Sequence, residues 1–169
     1  MKFNKREVSS GGGSDKFLKF KDGESKNIIL RGEIFEFYNR WVGGKGQACG
    51  PNDPGATSRF KVNAIIYEGG AFSAKIWEFP LTVYNQLADI NSEYPLESTK
   101  IKVTRQGTGT DTVYHILPLV SAKDTLSPAI LKHIEAVPMN ILDAKPKVQS
   151  QEHDFGPPPP EADDEILPF

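Results

Sequence analysis

The stretch SRFKVNAIIYEGGAFSAKIWEF, residues 58–79, holds two runs of alternating residues separated by Glu68, Gly69 and Gly70. In the first run Phe60, Val62, Ala64 and Ile66 fall on one face and Arg59, Lys61, Asn63, Ile65 and Tyr67 on the other. That is the period of two expected of a half-buried strand. In the second run Ala74 and Ile76 face one way, and Ser73, Lys75, Trp77 and Phe79 the other. The glycine pair between the runs supplies a tight hairpin turn. An antiparallel hairpin is therefore the nucleus of the fold, with cations and an aromatic expected on one face of both strands.

Working outward, residues 27–38 are rich in β-branched and aromatic side chains and read as a long first strand, bent at Gly32. Residues 39–57 contain five glycines and prolines in quick succession from Gly46 to Gly55, after Gly43 and Gly44, and are expected to form a long irregular connection. Pro80 suits a first helical position, and Leu81, Val83, Tyr84, Leu87 and Ile90 recur at helical spacing, which predicts a helix over 80–90. Further strands are expected at 100–105 and 112–117, joined by Gln106–Asp111. Ser127 and Pro128 open a short helix with Ile130, Leu131 and Ile134 facing inward, packed as a closing helix on the barrel. Three strands, a helix and two strands is the order of the OB fold. That fold is a mainly β, five-stranded barrel that binds oligonucleotides on its second and third strands, framed by the loops joining strands 1 to 2 and 4 to 5. Other small barrels share the order. The expected organisation is a flexible arm at 1–15, the OB domain at 16–136, a linker at 137–160 and an acidic tip at 161–169.

The 169 residues carry 20 Lys and Arg against 22 Asp and Glu, a net charge of -2 that conceals a division. The final twenty residues have no Lys or Arg and six acids, Glu152, Asp154, Glu161, Asp163, Asp164 and Glu165. A basic body with an acidic, proline-rich tail points to an anionic partner for the body and to a tail that is either solubilising or itself a ligand. The single Cys49 excludes an internal disulfide or a multi-cysteine zinc site and fits a reducing cytoplasm. No apolar run has the length of a membrane span, and Met1–Arg6 leads into Ser and Gly rather than an apolar signal core, so a membrane role is not expected.

Catalytic signatures are absent: there is no GxxxxGK[ST], GxGxxG, HExxH or GxSxG, and His115, His133 and His153 are scattered. The chain is read as a non-enzyme without cofactor or metal. Its cations are instead interleaved with aromatics, the pairing that single-stranded nucleic acid requires. Cations track phosphates and release counterions, and aromatic faces stack on bases irrespective of their identity. The expected contact residues are Phe37, Arg40, Trp41, Lys45, Arg59, Lys61, Lys75, Trp77, Lys102, Arg105 and Tyr114, while Phe60, Phe72, Phe79 and Tyr84 are assigned to the core.

Two features together resemble the single-stranded-DNA-binding proteins of bacteria and their phages. The tail Asp163, Asp164, Glu165, Ile166, Leu167, Pro168, Phe169 is similar to the acidic tip ending in Ile-Pro-Phe by which such proteins recruit partners, although Glu165 stands for Asp and Leu167 is inserted. The core resembles phage versions in Phe37, Tyr38 and Trp41, in Arg59–Asn63, and in Thr104, Arg105, Gly107, Gly109, Asp111, Thr112 and Tyr114. The loop after the first strand often holds several cysteines for zinc in that family; here it holds Cys49 alone, so no zinc is expected. The resemblance implies sequence-independent coating of single-stranded DNA during phage replication or recombination, in the host cytoplasm. It also implies recruitment of replication and recombination proteins by residues 163–169, and competition of the tail with DNA. RNA in place of DNA, and self-association into a homo-oligomer, stay open. The rival readings are an interaction adaptor or host-modulating protein whose tail is the main ligand motif, and a metal-dependent enzyme.

Overall fold

The β-branched and aromatic run of residues 25–42 builds a single 18-residue strand, β1 (Ser25–Val42), in the computed structural model, which describes residues 15–142. The expected tip and its partner-binding residues Asp163–Phe169, and almost all of the expected arm, lie outside the described residues. Strand β1 serves three neighbours in succession. Ser25–Ile28 pair with β5 (Ile101–Gln106), Ile29–Asn39 pair along the other edge with β3 (Thr57–Glu68), and Tyr38–Val42 pair with β2 (Lys45–Cys49). Between Arg31 and Phe35 the register against β3 slips by two residues, around Gly32 at φ 76°. The bend lets one strand turn from one half of the sheet to the other.

Strand β3 runs on through Gly69 and Gly70, both at positive φ, into β4 (Ala71–Pro80). Helix α1 (Leu81–Glu93) follows, and β5 and β6 (Val113–Pro118) complete a second hairpin. All pairings between these strands are antiparallel, in the order β4-β3-β1-β5-β6 with β2 beside β1. The architecture is mainly β, a single antiparallel sheet of six strands that does not close, because β4 and β6 stand at opposite ends of the order.

Strand β2 departs from the expected irregular connection. Gly43 and Gly44 take positive φ (57° and 76°) and form a two-residue turn between Val42 and Lys45. Two successive positive φ angles match the twist of the flanking strands, as in the Gly69-Gly70 turn. The irregular part begins at Gly50, where the amide donates to Asp53 Oδ2 at 2.8 Å.

The main core lies on the concave side: Ile28 and Leu30 of β1, Phe60, Val62, Ala64 and Ile66 of β3, Trp77 and Phe79 of β4, and Ile101 and Val103 of β5. Helix α1 packs on it through Val83 and Leu87, with Tyr84 stacked on Phe60 at 4.3 Å between centroids. Its Gln86 Nε2 donates to the Tyr114 carbonyl at 3.3 Å, which occupies an acceptor on the edge of β6. The segment before β1 fills the gap between β4 and β6. Leu18 N–H donates to the Ile76 carbonyl at 2.8 Å, and the Phe20 ring lies between Trp77 (6.1 Å) and Tyr114 (5.9 Å). Aromatic packing of this kind adds to the area buried.

A smaller apolar cluster sits on the convex side, where Ile29 and Ile65 meet Ile134 of helix α2 (Pro128–Glu135), with Phe72, Ala74, Leu126 and Val137 around them. Ser127 Oγ accepts from the Ile130 N–H at 3.2 Å, the expected cap. Ile134 is buried but Ile130 stays exposed, and the helix covers the outer face of the sheet rather than an open end. Beyond it, residues 137–142, expected to open the linker, lie on the sheet. Asn140 N–H donates to Asn63 Oδ1 at 2.9 Å, Asn63 Nδ2 donates to the Asn140 carbonyl at 3.2 Å, and Asn140 Nδ2 donates to the Ala74 carbonyl at 3.1 Å. Among the described residues no helix is long and apolar enough to cross a membrane.

Candidate nucleic-acid interface

Residues paired across antiparallel strands share a face, so the register orders the convex side into rows about 6.6 Å apart, two residues at roughly 3.3 Å each. At the far end Trp41 is opposite Gly46, and Asn39 is flanked by Ala48 and Thr57. Next come Phe37 with Arg59, then Phe35 with Lys61 and Glu78, then Arg31 with Asn63 and Ile76. Beyond these, Ile29, Ile65 and Ala74 lie under Ile134 and Val137. The open part of the face is thus a line of three aromatics on β1, Phe35, Phe37 and Trp41, bordered on β3 by Arg59 and Lys61.

Trp41 is 74% exposed, and its cross-strand neighbour Gly46 has no side chain to cover the indole. Lys61 Nζ stands 5.1 Å from the centroid of Phe37, close enough for a cation–π contact that holds the ammonium over the line. Neither Arg59 nor Lys61 has a salt bridge among the described residues. Glu36, on the reverse face of β1, accepts from Tyr38 Oη at 3.0 Å and from Ser58 Oγ. The bond to Glu36 holds the Tyr38 phenol above its usual value of 10.0, with burial a secondary cause. Glu78, in the same row as Lys61, is the acid on the convex face that faces the cations.

The structure gathers Phe37, Trp41, Arg59 and Lys61 of the expected contact set and separates the rest; Lys45, exposed at the adjoining hairpin tip, pairs with Val42 and so faces away from Trp41. Trp77 is the principal correction. It pairs with Val62, so it faces the core, and it is 1% exposed. The alternation of β4 is the expected one, but the face holding Trp77 and Phe79 is the inner one. Lys75 shares that side at its rim and donates to the Asp15 carbonyl. Arg105 and Tyr114 pair with each other on the concave side; Arg105 donates to the Phe20 carbonyl at 2.5 Å, and Tyr114 packs on Phe20 and Trp77. Arg40 alternates with Trp41 and so lies on the reverse face, half-buried beside Gly55. Lys102 is exposed but pairs with Asn27 at the opposite end of the sheet, past the rows that α2 covers. Phe35, absent from the expected contact set, joins the line. The two-residue slip at Gly32 preserves parity, so the signal for its facing was the alternation Phe35, Phe37, Asn39, Trp41 itself.

At the other end of the convex side a cleft of about 640 Å³ lies between the sheet and α2, with Ile29, Ile65, Tyr67 and Phe72 on the sheet side and Leu126 and Ile130 opposite. Lys26 and Lys100 stand at this cleft already paired, Lys26 with Glu24 and Glu68 at 3.6 Å and Lys100 with Asp124 at 3.3 Å. No group of three or more His, Cys, Asp or Glu side chains arranged to hold a metal occurs among the described residues. Comparison of the chain with known protein families, with curated protein sequences and with solved structures found no match.

Proposed function

We propose that the convex face of β2, β1, β3 and β4 binds single-stranded nucleic acid without regard to sequence, with single-stranded DNA as the ligand, and that the fold is an OB-type barrel opened between β4 and β6. The observation that carries the reading is the line Phe35, Phe37 and Trp41 on one face of one strand, with Arg59 and Lys61 beside it and free of salt bridges among the described residues. Trp41 to Phe35 spans six residues, about 20 Å. Along that span bases stack on the rings while the phosphates pass the cations, each stacked base contributing about 1–3 kcal/mol. In support of the OB reading, the five long strands keep the order of three strands, a helix and two strands, and the extra strand β2 stands in the connection between the first and second of them.

The resemblance to phage and bacterial single-stranded-DNA-binding proteins supplies the wider role, coating of DNA in replication or recombination. The acidic residues after 150 then compete with DNA for the face, and Phe169 becomes available to partner proteins when DNA displaces them. The test is binding of the full chain to a labelled oligo-dT and to a duplex of equal length at two salt concentrations. Tight, salt-dependent, single-strand-selective binding is expected. Failure of both the full chain and a chain ending at residue 149 to bind would overturn the reading. The cleft between the sheet and α2 favours a second reading, an adaptor that grips an apolar segment of a protein; it predicts weak, salt-insensitive DNA binding.

A further inference from the structure

The row of Arg31, Asn63 and Ile76, fifth from the Trp41 end of the convex face, holds a polar side chain that the binding line does not use. Asn63 continues the series Arg59, Lys61, Asn63 along β3, one row beyond Lys61, yet it is only 5% exposed because residues 137–142 cross over it. Its amide is saturated in a particular way: Oδ1 accepts from the Asn140 N–H and Nδ2 donates to the Asn140 carbonyl, at 2.9 and 3.2 Å. One side-chain amide thus engages an adjacent donor and acceptor. That is the pattern a nucleobase edge presents, and the one by which Asn reads adenine through its N6 and N7 atoms.

The strap that provides this pair is lightly held. Residues 138–142 have no regular secondary structure, and Met139 and Ile141 are 50% and 86% exposed. Val137 anchors its start in the cluster under α2; beyond Val137, apart from the reach of Met139 towards Gly32, the side-chain hydrogen bonds that fix it among the described residues are the three made by Asn140. A strand of nucleotides that passes Trp41, Phe37 and Phe35 next meets the strap.

On the reading that this face binds single-stranded nucleic acid, we infer that Asn63 is a base-contacting residue of the site, occupied in the free protein by the Asn140 peptide group, so that a nucleobase and the strap compete for it. The strap takes the place of the ligand's hydrogen bonds and spares a buried amide from being left unpaired. Occupancy of the Asn63 row by a base releases residues 137–142. The phosphate chain alone, with no donor and acceptor edge to offer, does not.

The experiment is amide hydrogen exchange of the full chain, alone, with saturating oligo-dA, and with an abasic deoxyribose-phosphate oligomer of the same length. The Asn140 amide is expected to be protected in the free chain, to lose protection with oligo-dA and to keep it with the abasic oligomer. Asn140→Pro, which removes both the N–H donated to Asn63 and the amide donated to Ala74, should raise oligo-dA affinity about two- to tenfold for each hydrogen bond released, and abasic affinity far less. If N140P fails to fold, Asn140→Ala, which loses only the bond to Ala74, should show the smaller increase of a single bond. Unchanged protection of Asn140 in a chain that does bind oligo-dA overturns the inference and leaves the binding face standing, as does equal loss of protection with the abasic oligomer. Absence of binding to any oligomer overturns both.

Discussion

The two tryptophans, 36 residues apart in sequence, divide the molecule into a surface to be used and a core to be kept, and substituting each alone separates them. Trp77→Ala removes a side chain 1% exposed that packs on Phe20 at 6.1 Å and Phe79 at 4.7 Å. A fully buried large aromatic cut to Ala costs about 3–5 kcal/mol, transfer and cavity together. For a domain of this size that lowers Tm by about 10–30 °C, at roughly 3–6 °C per kcal/mol. Trp77→Phe should cost less, because the Trp77 Nε1 donor is buried with no hydrogen-bond partner among the described residues and its loss offsets part of the lost packing. Trp41→Ala removes a side chain 74% exposed, opposite a glycine, so stability should change by no more than about 0.5 kcal/mol. Binding of oligo-dT should fall by about 5- to 150-fold, the equivalent of one stacked base at about 1–3 kcal/mol. The assay is a thermal melt of each variant beside a fluorescence titration with oligo-dT. In W77F, where Trp41 alone emits, the emission should be red-shifted and quenched by added oligonucleotide; in W41F it should be blue-shifted and unresponsive. Retention of full DNA affinity by W41A together with a melting temperature lowered by more than a few degrees would refute the division.

Each cation of the face has a salt signature. Arg59→Ala and Lys61→Ala should each reduce the slope of log affinity against log salt by about 0.7 for single strands, measured by titration at several salt concentrations, whereas Lys75→Ala should leave it unchanged. A chain ending at residue 149, which lacks the six terminal acids, should bind oligo-dT more tightly, most visibly at low salt; equal affinity would remove the competition. Gly107→Ala places a Cβ 2.4 Å from the Asp111 carbonyl oxygen at φ +86°, so chemical denaturation should show a loss of at least about 1–2 kcal/mol, the left-handed penalty alone. Asp124 accepts a hydrogen bond from Ser121 and pairs with Lys100, which holds its carboxyl below the ordinary 3.8. A depressed folded value gives stability that is present above the unfolded value and lost as the pH falls through the folded one. Melting curves between pH 5 and 2 should therefore show a decline in the native chain that is smaller in Asp124→Asn.

The amino-acid sequence by itself determined the strands of the central hairpin, its turn, and the helices, because each rests on local chemistry. The alternation of residues 59–67, Gly69 and Gly70 at positive φ, Pro80 before α1 and the Ser127 cap are read within a few residues of one another. The Gly43-Gly44 turn carries the same signal, but the short strand after it, Lys45–Cys49, has no apolar alternation of its own and is held by pairing with β1. Only the tertiary structure decided which side of each strand faces inward. A period of two places Trp77 with Lys75 against Ala74 and Ile76, but it is symmetric between the faces. The choice is made by the pairing of Val62 with Trp77, and by the two apolar layers that cover opposite sides of the sheet, Phe20 and Tyr114 on one and Ile134 on the other. The same holds for the strap: nothing near Asn63 or Asn140 in the chain joins residues 77 positions apart, and their contact exists because α2 folds back over the convex face and delivers residues 137–142 to the row of Asn63.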